Sequence, residues 1–200
     1  MRGVFAGLAG LAAAMAVSAA ELRVAVRDAR GQPLPGAVVM LESPQASAAV
    51  RPMTGVEMVQ RDKAFVPEVL VVTRGTAVAF PNHDTVRHHV YSLSPVKPFE
   101  IKLYAGTPAN PVVFDRAGVA LLGCNIHDHM VAWVVVADTP HHARADARGE
   151  ARLHGVPPGG YALVVWHRDL PVGAAGVRRA VTLREGAPAV VEAVLTEVAR

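Results

Sequence analysis

The sequence has one cysteine, Cys124, and few charged residues, which are scattered along the chain. A single cysteine excludes both an internal disulfide framework and a zinc site built from cysteines alone. Charged residues make up 18% of the 200 residues, and the formal net charge is only +3. No stretch clusters lysine and arginine, so the sequence lacks the basic surface that nucleic-acid binding requires. The hydrophobic content of 52% excludes a disordered chain.

Only the first segment of the chain is long and apolar enough to span a bilayer. Residues 1–20 start with a positive charge at Arg2, carry no further charge and end in small residues. This is the pattern of a secretory signal peptide. We expect cleavage after Ala19 or Ala20, which gives a mature protein that is periplasmic or otherwise exported and has no membrane span. The alternative is a retained anchor, because the run just reaches the lower length limit of a spanning helix.

The remainder of the chain lacks a capped helical period and consists of short β-prone runs. Leu22, Val24 and Val26 recur at every second position, which is the period of a strand. Longer apolar runs lie at 36–41 and 130–137, and glycine- and proline-containing turns separate the runs. The sequence therefore predicts an all-β protein. We expect residues 43–55 to be a linker.

Potential metal ligands concentrate in two stretches. Residues 124–130 read Cys-Asn-Ile-His-Asp-His-Met, which places a thiol, an imidazole and a thioether at Cys124, His127 and Met130. Residues 82–90 read Asn-His-Asp-Thr-Val-Arg-His-His-Val and offer further imidazoles. One thiolate, two imidazoles and a weak thioether are the donors of a type 1 copper centre. Zinc would accept cysteine and histidine but has no use for methionine.

The pattern thus predicts copper, cycling between Cu(I) and Cu(II), as the cofactor. Three ligands would come from one loop between two strands, and the fourth from the histidine-rich stretch. His129 lies within the same loop and is a competing candidate ligand.

These residues resemble the cupredoxin family, which includes amicyanin and plastocyanin. Residues 75–82, Gly-Thr-Ala-Val-Ala-Phe-Pro-Asn, are similar to the strand that leads to the first ligand loop of that family, and Cys-x2-His-x2-Met resembles the amicyanin spacing. The family loop ends in a histidine six residues after an asparagine. The resemblance therefore implies His88, six residues after Asn82, as the ligand and not His89. It covers residues 45–139 and implies a Greek-key β-sandwich. The implied metal ligands are His88, Cys124, His127 and Met130.

Two departures from the family concern the residues around the ligands. Cupredoxins have asparagine after the first histidine and serine or threonine after the cysteine, whereas this chain has His89 and Asn125. We expect Asn82, His89 and Asn125 to surround the ligands and to tune them, as outer groups of metal sites do. In this interpretation the Asn125 side chain hydrogen-bonds to His89 and holds the two ligand loops together.

The flanks carry a second resemblance. The turn Asp-Ala-Arg-Gly occurs at 28–31 and again at 146–149, and the sequence around each copy resembles a carboxypeptidase regulatory-like (transthyretin-like) β-sandwich. The resemblance implies a discontinuous domain of residues 21–43 and 140–200, with the cupredoxin domain 45–139 inserted into it. The alternative is a single cupredoxin with added strands. The chain also resembles exported bacterial proteins labelled methylamine utilisation proteins, a label that defines no activity.

No serine-histidine-aspartate or paired-carboxylate spacing supports hydrolysis, so we expect a protein that is not an enzyme. The first hypothesis is a copper electron carrier that exchanges electrons with a redox partner protein of unknown identity. The second is a protein that delivers or buffers copper without redox turnover. The third is a structural β-protein with a degenerate metal site.

Overall fold

A computed structural model describes residues 20–198, and it confirms the predicted all-β fold class. The described residues form seventeen strands and one short helix, α1 (Pro44–Ala49). The predicted leader, except Ala20, lies outside them. No helix among the described residues is long and apolar enough to cross a membrane. The strands are β1 (Ala20–Asp28), β2 (Val38–Glu42), β3 (Val56–Glu57), β4 (Val59–Arg61), β5 (Ala64–Val66), β6 (Val69–Thr73), β7 (Thr76–Ala79), β8 (His88–Ser92), β9 (Phe99–Tyr104), β10 (Val112–Phe114), β11 (Gly118–Cys124), β12 (Val131–Ala137), β13 (His142–Arg144), β14 (Glu150–Val156), β15 (Gly159–Trp166), β16 (Val177–Leu183) and β17 (Ala189–Leu195).

The first two strands pair with strands from the C-terminal third of the chain. Strand β1 lies between β14, to which it is antiparallel, and β17, to which it is parallel. Strand β2 lies between β13 and β15 in a four-stranded sheet that ends at β16. Side chains of both sheets, including Leu22, Val39 and Leu163, share one buried core. We call this unit the outer sandwich.

The middle of the chain forms a second sandwich with its own core. A five-stranded sheet in the order β6-β12-β11-β8-β9 faces a three-stranded sheet in the order β10-β7-β3. Phe114 from the smaller sheet and Leu122 from the larger one belong to the same core, and Cys124 and Met130 belong to it as well. We call this unit the inner sandwich. The cysteine-containing loop connects its adjacent antiparallel strands β11 and β12.

The two sandwiches pack against each other through strands that are buried on both faces. In β2, Val39 belongs to the outer core, whereas Val38 belongs to a third buried cluster at the junction of the two units. In β12, Val134 belongs to the inner core, whereas Val135 belongs to the same junction cluster as Val38. This two-sided burial explains why both strands are continuous apolar runs instead of alternating ones. Trp166 of β15 is also buried in this junction.

One element departs from the expected linker at 43–55. Residues 44–49 form helix α1 with an N-cap at Ser43, so the expectation that the chain after the leader has no capped helix was wrong. The Ser43 side chain accepts a hydrogen bond from the Ala46 N–H at 3.1 Å, and Pro44 occupies the first turn. Serine at the N-cap followed by proline is a helix-start signal. A helix of six residues is too short to show a hydrophobic period in the sequence.

The two Asp-Ala-Arg-Gly turns provide a matched stability test. Gly31 and Gly149 have positive φ angles of 76° and 74°. A Cβ at Gly149 would lie 2.6 Å from the Val26 carbonyl oxygen, whereas a Cβ at Gly31 would have no neighbour within 4 Å. We expect Gly31→Ala to lower the free energy of unfolding by about 1–2 kcal/mol through backbone strain alone. Gly149→Ala should lower the free energy of unfolding by about 1–3 kcal/mol more, because the new methyl group would also clash with the Val26 carbonyl. Urea unfolding measures both, and equal losses would contradict the predicted close contact.

Candidate metal centre

A short closed loop holds three of the predicted ligands at one end of the inner sandwich. Cys124 is the last residue of β11, and β12 starts directly after Met130. The Cys124 N–H donates to the Met130 carbonyl at 3.2 Å, and the Met130 N–H donates to the His127 carbonyl at 2.9 Å. These backbone bonds fold the loop back on itself. The loop therefore keeps the thiol, the imidazole and the thioether close to the strand ends.

Strand pairing brings the fourth predicted ligand to the same place. Strand β8 is the antiparallel neighbour of β11, with Val90 opposite Cys124, and it starts at His88. The Cys124 Sγ lies 3.8 Å from His88 Nδ1 and 3.7 Å from His127 Nδ1. One ligand atom from each of these residues lies within 4.8 Å of the others. Such separations allow the three side chains to hold one metal ion.

The four predicted ligands differ in their access to solvent. His88 is fully buried, and Cys124 and Met130 belong to the inner core with exposures of 4% and 1%. His127 is only half-buried. Its pKa is lowered, first by loss of hydration and then by the nearby charges of His88 and Lys63. A lowered pKa favours the neutral imidazole, which is the form that binds metal ions.

The other histidines lie outside the His88–Cys124–His127 group. His89 follows His88 on β8 and its ring is directed elsewhere, with Nε2 3.0 Å from a carboxylate oxygen of Glu100. This placement agrees with the alternation of side chains along a strand. His129 is exposed, and its ring centroid lies 6.0 Å from that of His127.

The two predicted asparagines act in different ways. Asn82 is buried, and its side-chain amide donates to the carbonyls of Val86 and Tyr104 at 2.9 and 3.1 Å, which shapes the loop before His88. Asn125 links the two ligand segments, but through its backbone N–H, which donates to the His89 carbonyl at 3.2 Å. Its side chain is exposed, contrary to the expected side-chain bridge. The link is a backbone one because it continues the hydrogen-bond ladder between β8 and β11.

Asp84 was not among the predicted site residues, yet it contacts a predicted ligand directly. An Asp84 carboxylate oxygen lies 2.7 Å from His88 Nε2. Partial burial acts to raise the pKa of Asp84, but hydrogen bonds from His88, Lys63 and Asp62 outweigh it and lower the pKa below its usual value. The carboxylate is therefore ionised at neutral pH. The contact depends on the shape of the loop, which the spacing of the two residues does not reveal.

A buried polar network next to the centre was also unpredicted. Gln60 is fully buried, and its amide nitrogen lies 2.6 Å from the Tyr104 hydroxyl, which is 2.7 Å from the Phe80 carbonyl. Burial raises the pKa of Tyr104 to about 12. Because His88 and Tyr104 are opposite each other in the β8–β9 pair, this network supports the strand that carries His88.

Comparisons with known proteins found similarity to solved structures. No family model matches the chain, and no curated protein matches it. A purple cupredoxin from Nitrosopumilus maritimus is 22% identical, with 40% of this chain and 98% of that chain covered and a TM-score of 0.37. The Cu(I) form of an amicyanin mutant is 25% identical, with coverages of 50% and 98% and a TM-score of 0.38. A copper-containing nitrite reductase from Thermus scotoductus is 22% identical, with coverages of 45% and 26% and a TM-score of 0.38.

Proposed function

We propose that the protein is an exported, cupredoxin-like copper protein that transfers single electrons. The observation that carries this proposal is the group of one thiol and two imidazoles, Cys124, His88 and His127, with ligand atoms within 4.8 Å of one another. Met130 adds a thioether in the same core. This donor set fits copper, because a thiolate with two imidazoles and a weak axial thioether is characteristic of blue-copper electron-transfer sites. Bound copper would supply a one-electron redox couple at this end of the inner sandwich.

The surroundings of the ligands suit electron transfer. His88, Cys124 and Met130 are packed in the core, so a change of charge would be accompanied by little movement of the ligands. Among the four, His127 alone is half-buried instead of buried. Its ring edge is therefore the contact point that we propose for a redox partner protein. The role that we propose is that of a carrier and not that of an enzyme.

The second candidate function is copper delivery or buffering without redox turnover. The observation in its favour is the exposed ring of His129, 6.0 Å from the ring of His127. Two neighbouring imidazoles at the surface could pass a copper ion between the site and a recipient. In that case the buried ligands would bind the ion only weakly.

Copper loading of the mature protein separates the two functions. We expect Cu(II) to produce an intense thiolate-to-copper absorption band and an electron paramagnetic resonance spectrum of a type 1 site. The band should persist in the presence of a mild chelator and should disappear and return on reduction and reoxidation. A protein that takes up copper without the band, and that loses it rapidly to the chelator, would support delivery or buffering. Zn(II), which has no such charge transfer, is the control.

The proposed domain organisation follows the second resemblance. Residues 21–43 and 140–200 are assigned to a transthyretin-like domain and residues 45–139 to the inserted cupredoxin-like domain. Support comes from the separate cores of the outer and inner sandwiches. For the leader we propose cleavage after Ala19, because Ala20 is 2% exposed within the outer core and its removal would shorten β1. The likeness to methylamine utilisation proteins is part of this proposal and adds no activity.

A further inference from the structure

His88 is in contact through both of its ring nitrogens. Nδ1 faces the Cys124 thiol at 3.8 Å, and Nε2 lies 2.7 Å from a carboxylate oxygen of Asp84. The ring is fully buried, so water does not compete for either nitrogen. Because Nδ1 is on the side of the other ligands, the ring proton belongs on Nε2, where it is donated to Asp84.

Asp84 is itself held in a fixed position by backbone groups. Its carboxylate accepts hydrogen bonds from the N–H groups of Asp62 at 2.7 Å and Lys63 at 3.0 Å. Its own N–H donates to the Asn82 side chain at 2.9 Å. Asp62 and Lys63 form the turn between β4 and β5, and both have a φ of 54°. Successive N–H groups in such turns form a concave site for an anion, which the Asp84 carboxylate occupies.

A carboxylate held against the far nitrogen of a ligating imidazole has two effects on a metal site. It fixes the tautomer and the orientation of the ring, and it makes the ring a stronger electron donor. The Asp84 side chain is 12% exposed, so its charge is only partly screened by water. Stronger donation and a nearby negative charge both favour the more highly charged oxidation state of a bound metal.

We propose that Asp84 is a positioning residue that, through His88, stabilises Cu(II) relative to Cu(I) and so lowers the reduction potential of the site. This inference rests on the proposed function, since it concerns the same copper centre. It adds a residue outside the ligand set, on the loop that leads to His88, that lowers the potential. The β4–β5 turn takes part indirectly, because it holds the carboxylate in place.

The test is the reduction potential of Asp84→Asn in the copper-loaded mature protein. Asparagine keeps the size of the side chain and removes the charge. We expect an upward shift of the potential and faster loss of Cu(II) to a chelator. The control is Asp128→Asn, which removes a charge from an exposed side chain next to His127. The reduction potential of this control variant should shift much less, because Asp128 is on the other ligand loop and is exposed to water.

The possible results are distinguishable. If the wild-type protein lacks the thiolate-to-copper band, the proposed function fails. If the band is present but both variants shift the potential equally, or Asp84→Asn leaves it unchanged, only the role of Asp84 is overturned.

A second measurement applies even if Asp84→Asn does not fold. In the wild-type Cu(I) protein, nuclear magnetic resonance should detect a slowly exchanging proton on His88 Nε2 that is hydrogen-bonded to a carboxylate. A rapidly exchanging proton, or none on Nε2, would overturn the inference.

Discussion

Cys124→Ala is expected to abolish the thiolate-to-copper absorption band completely while leaving the protein folded. The band requires a sulfur ligand, and Cys124 is the sole cysteine of the chain. His88 and His127 would remain and could still bind Cu(II), but without thiolate charge transfer. Absorption spectra of the copper-loaded variant measure the loss, and circular dichroism with thermal unfolding of the metal-free protein verifies the fold.

A second substitution, which removes buried volume from the same core, provides the control for Cys124→Ala. Val134 is fully buried in the inner core and is not a ligand candidate. Val134→Ala should lower the free energy of unfolding by about 1–3 kcal/mol through loss of packing, yet it should retain the band. Loss of the band in Val134→Ala would indicate that Cys124→Ala loses the band through weaker core packing and not through loss of a ligand. Retention of the band in Cys124→Ala would contradict the proposed ligand set.

The close arrangement of Cys124 and His127 could be predicted because it is local. The two residues lie within one short loop between two adjacent strands, so their spacing nearly determines their separation. The fourth predicted ligand could be chosen only from the family resemblance, because His88 and His89 are adjacent and chemically identical. In the structure, the pairing of β8 with β11 distinguishes them. Asp84 could not be predicted at all. Its contact with His88 depends on the loop shape and on the distant β4–β5 turn that holds its carboxylate.

The packing between the two sandwiches could not be predicted from the sequence either. The sequence shows β2 and β12 as continuous apolar runs, but an apolar run does not specify its partner. Val38 of β2 and Val135 of β12, about a hundred residues apart in the sequence, belong to one buried cluster only because the two sandwiches pack together. Asn125 illustrates the opposite case. Asn125 does link the ligand loops, but through its backbone N–H and not through the predicted side-chain hydrogen bond.

The adjacent histidines of β8 should respond very differently to the same substitution. His88→Asn should abolish the band and weaken copper binding. Loss of a group that only hydrogen-bonds to a metal ligand weakens metal binding about 10–100-fold, and loss of His88 itself should exceed this. The reason is that His88 is fully buried, 3.8 Å from Cys124 Sγ, and its replacement also leaves Asp84 without its ring partner. Competition titration with a chelator of known affinity measures the change.

His89→Asn should leave the band intact and change the copper affinity by no more than a few-fold. The His89 side chain pairs with Glu100, which is 51% exposed, so the lost contact is worth at most about 1 kcal/mol. The link from the Asn125 N–H to the His89 carbonyl involves only the backbone and therefore survives the substitution. Because the two variants carry the same replacement at neighbouring positions, their difference reports the direction of each ring. The reverse order of severity would mean that His89, and not His88, faces the metal.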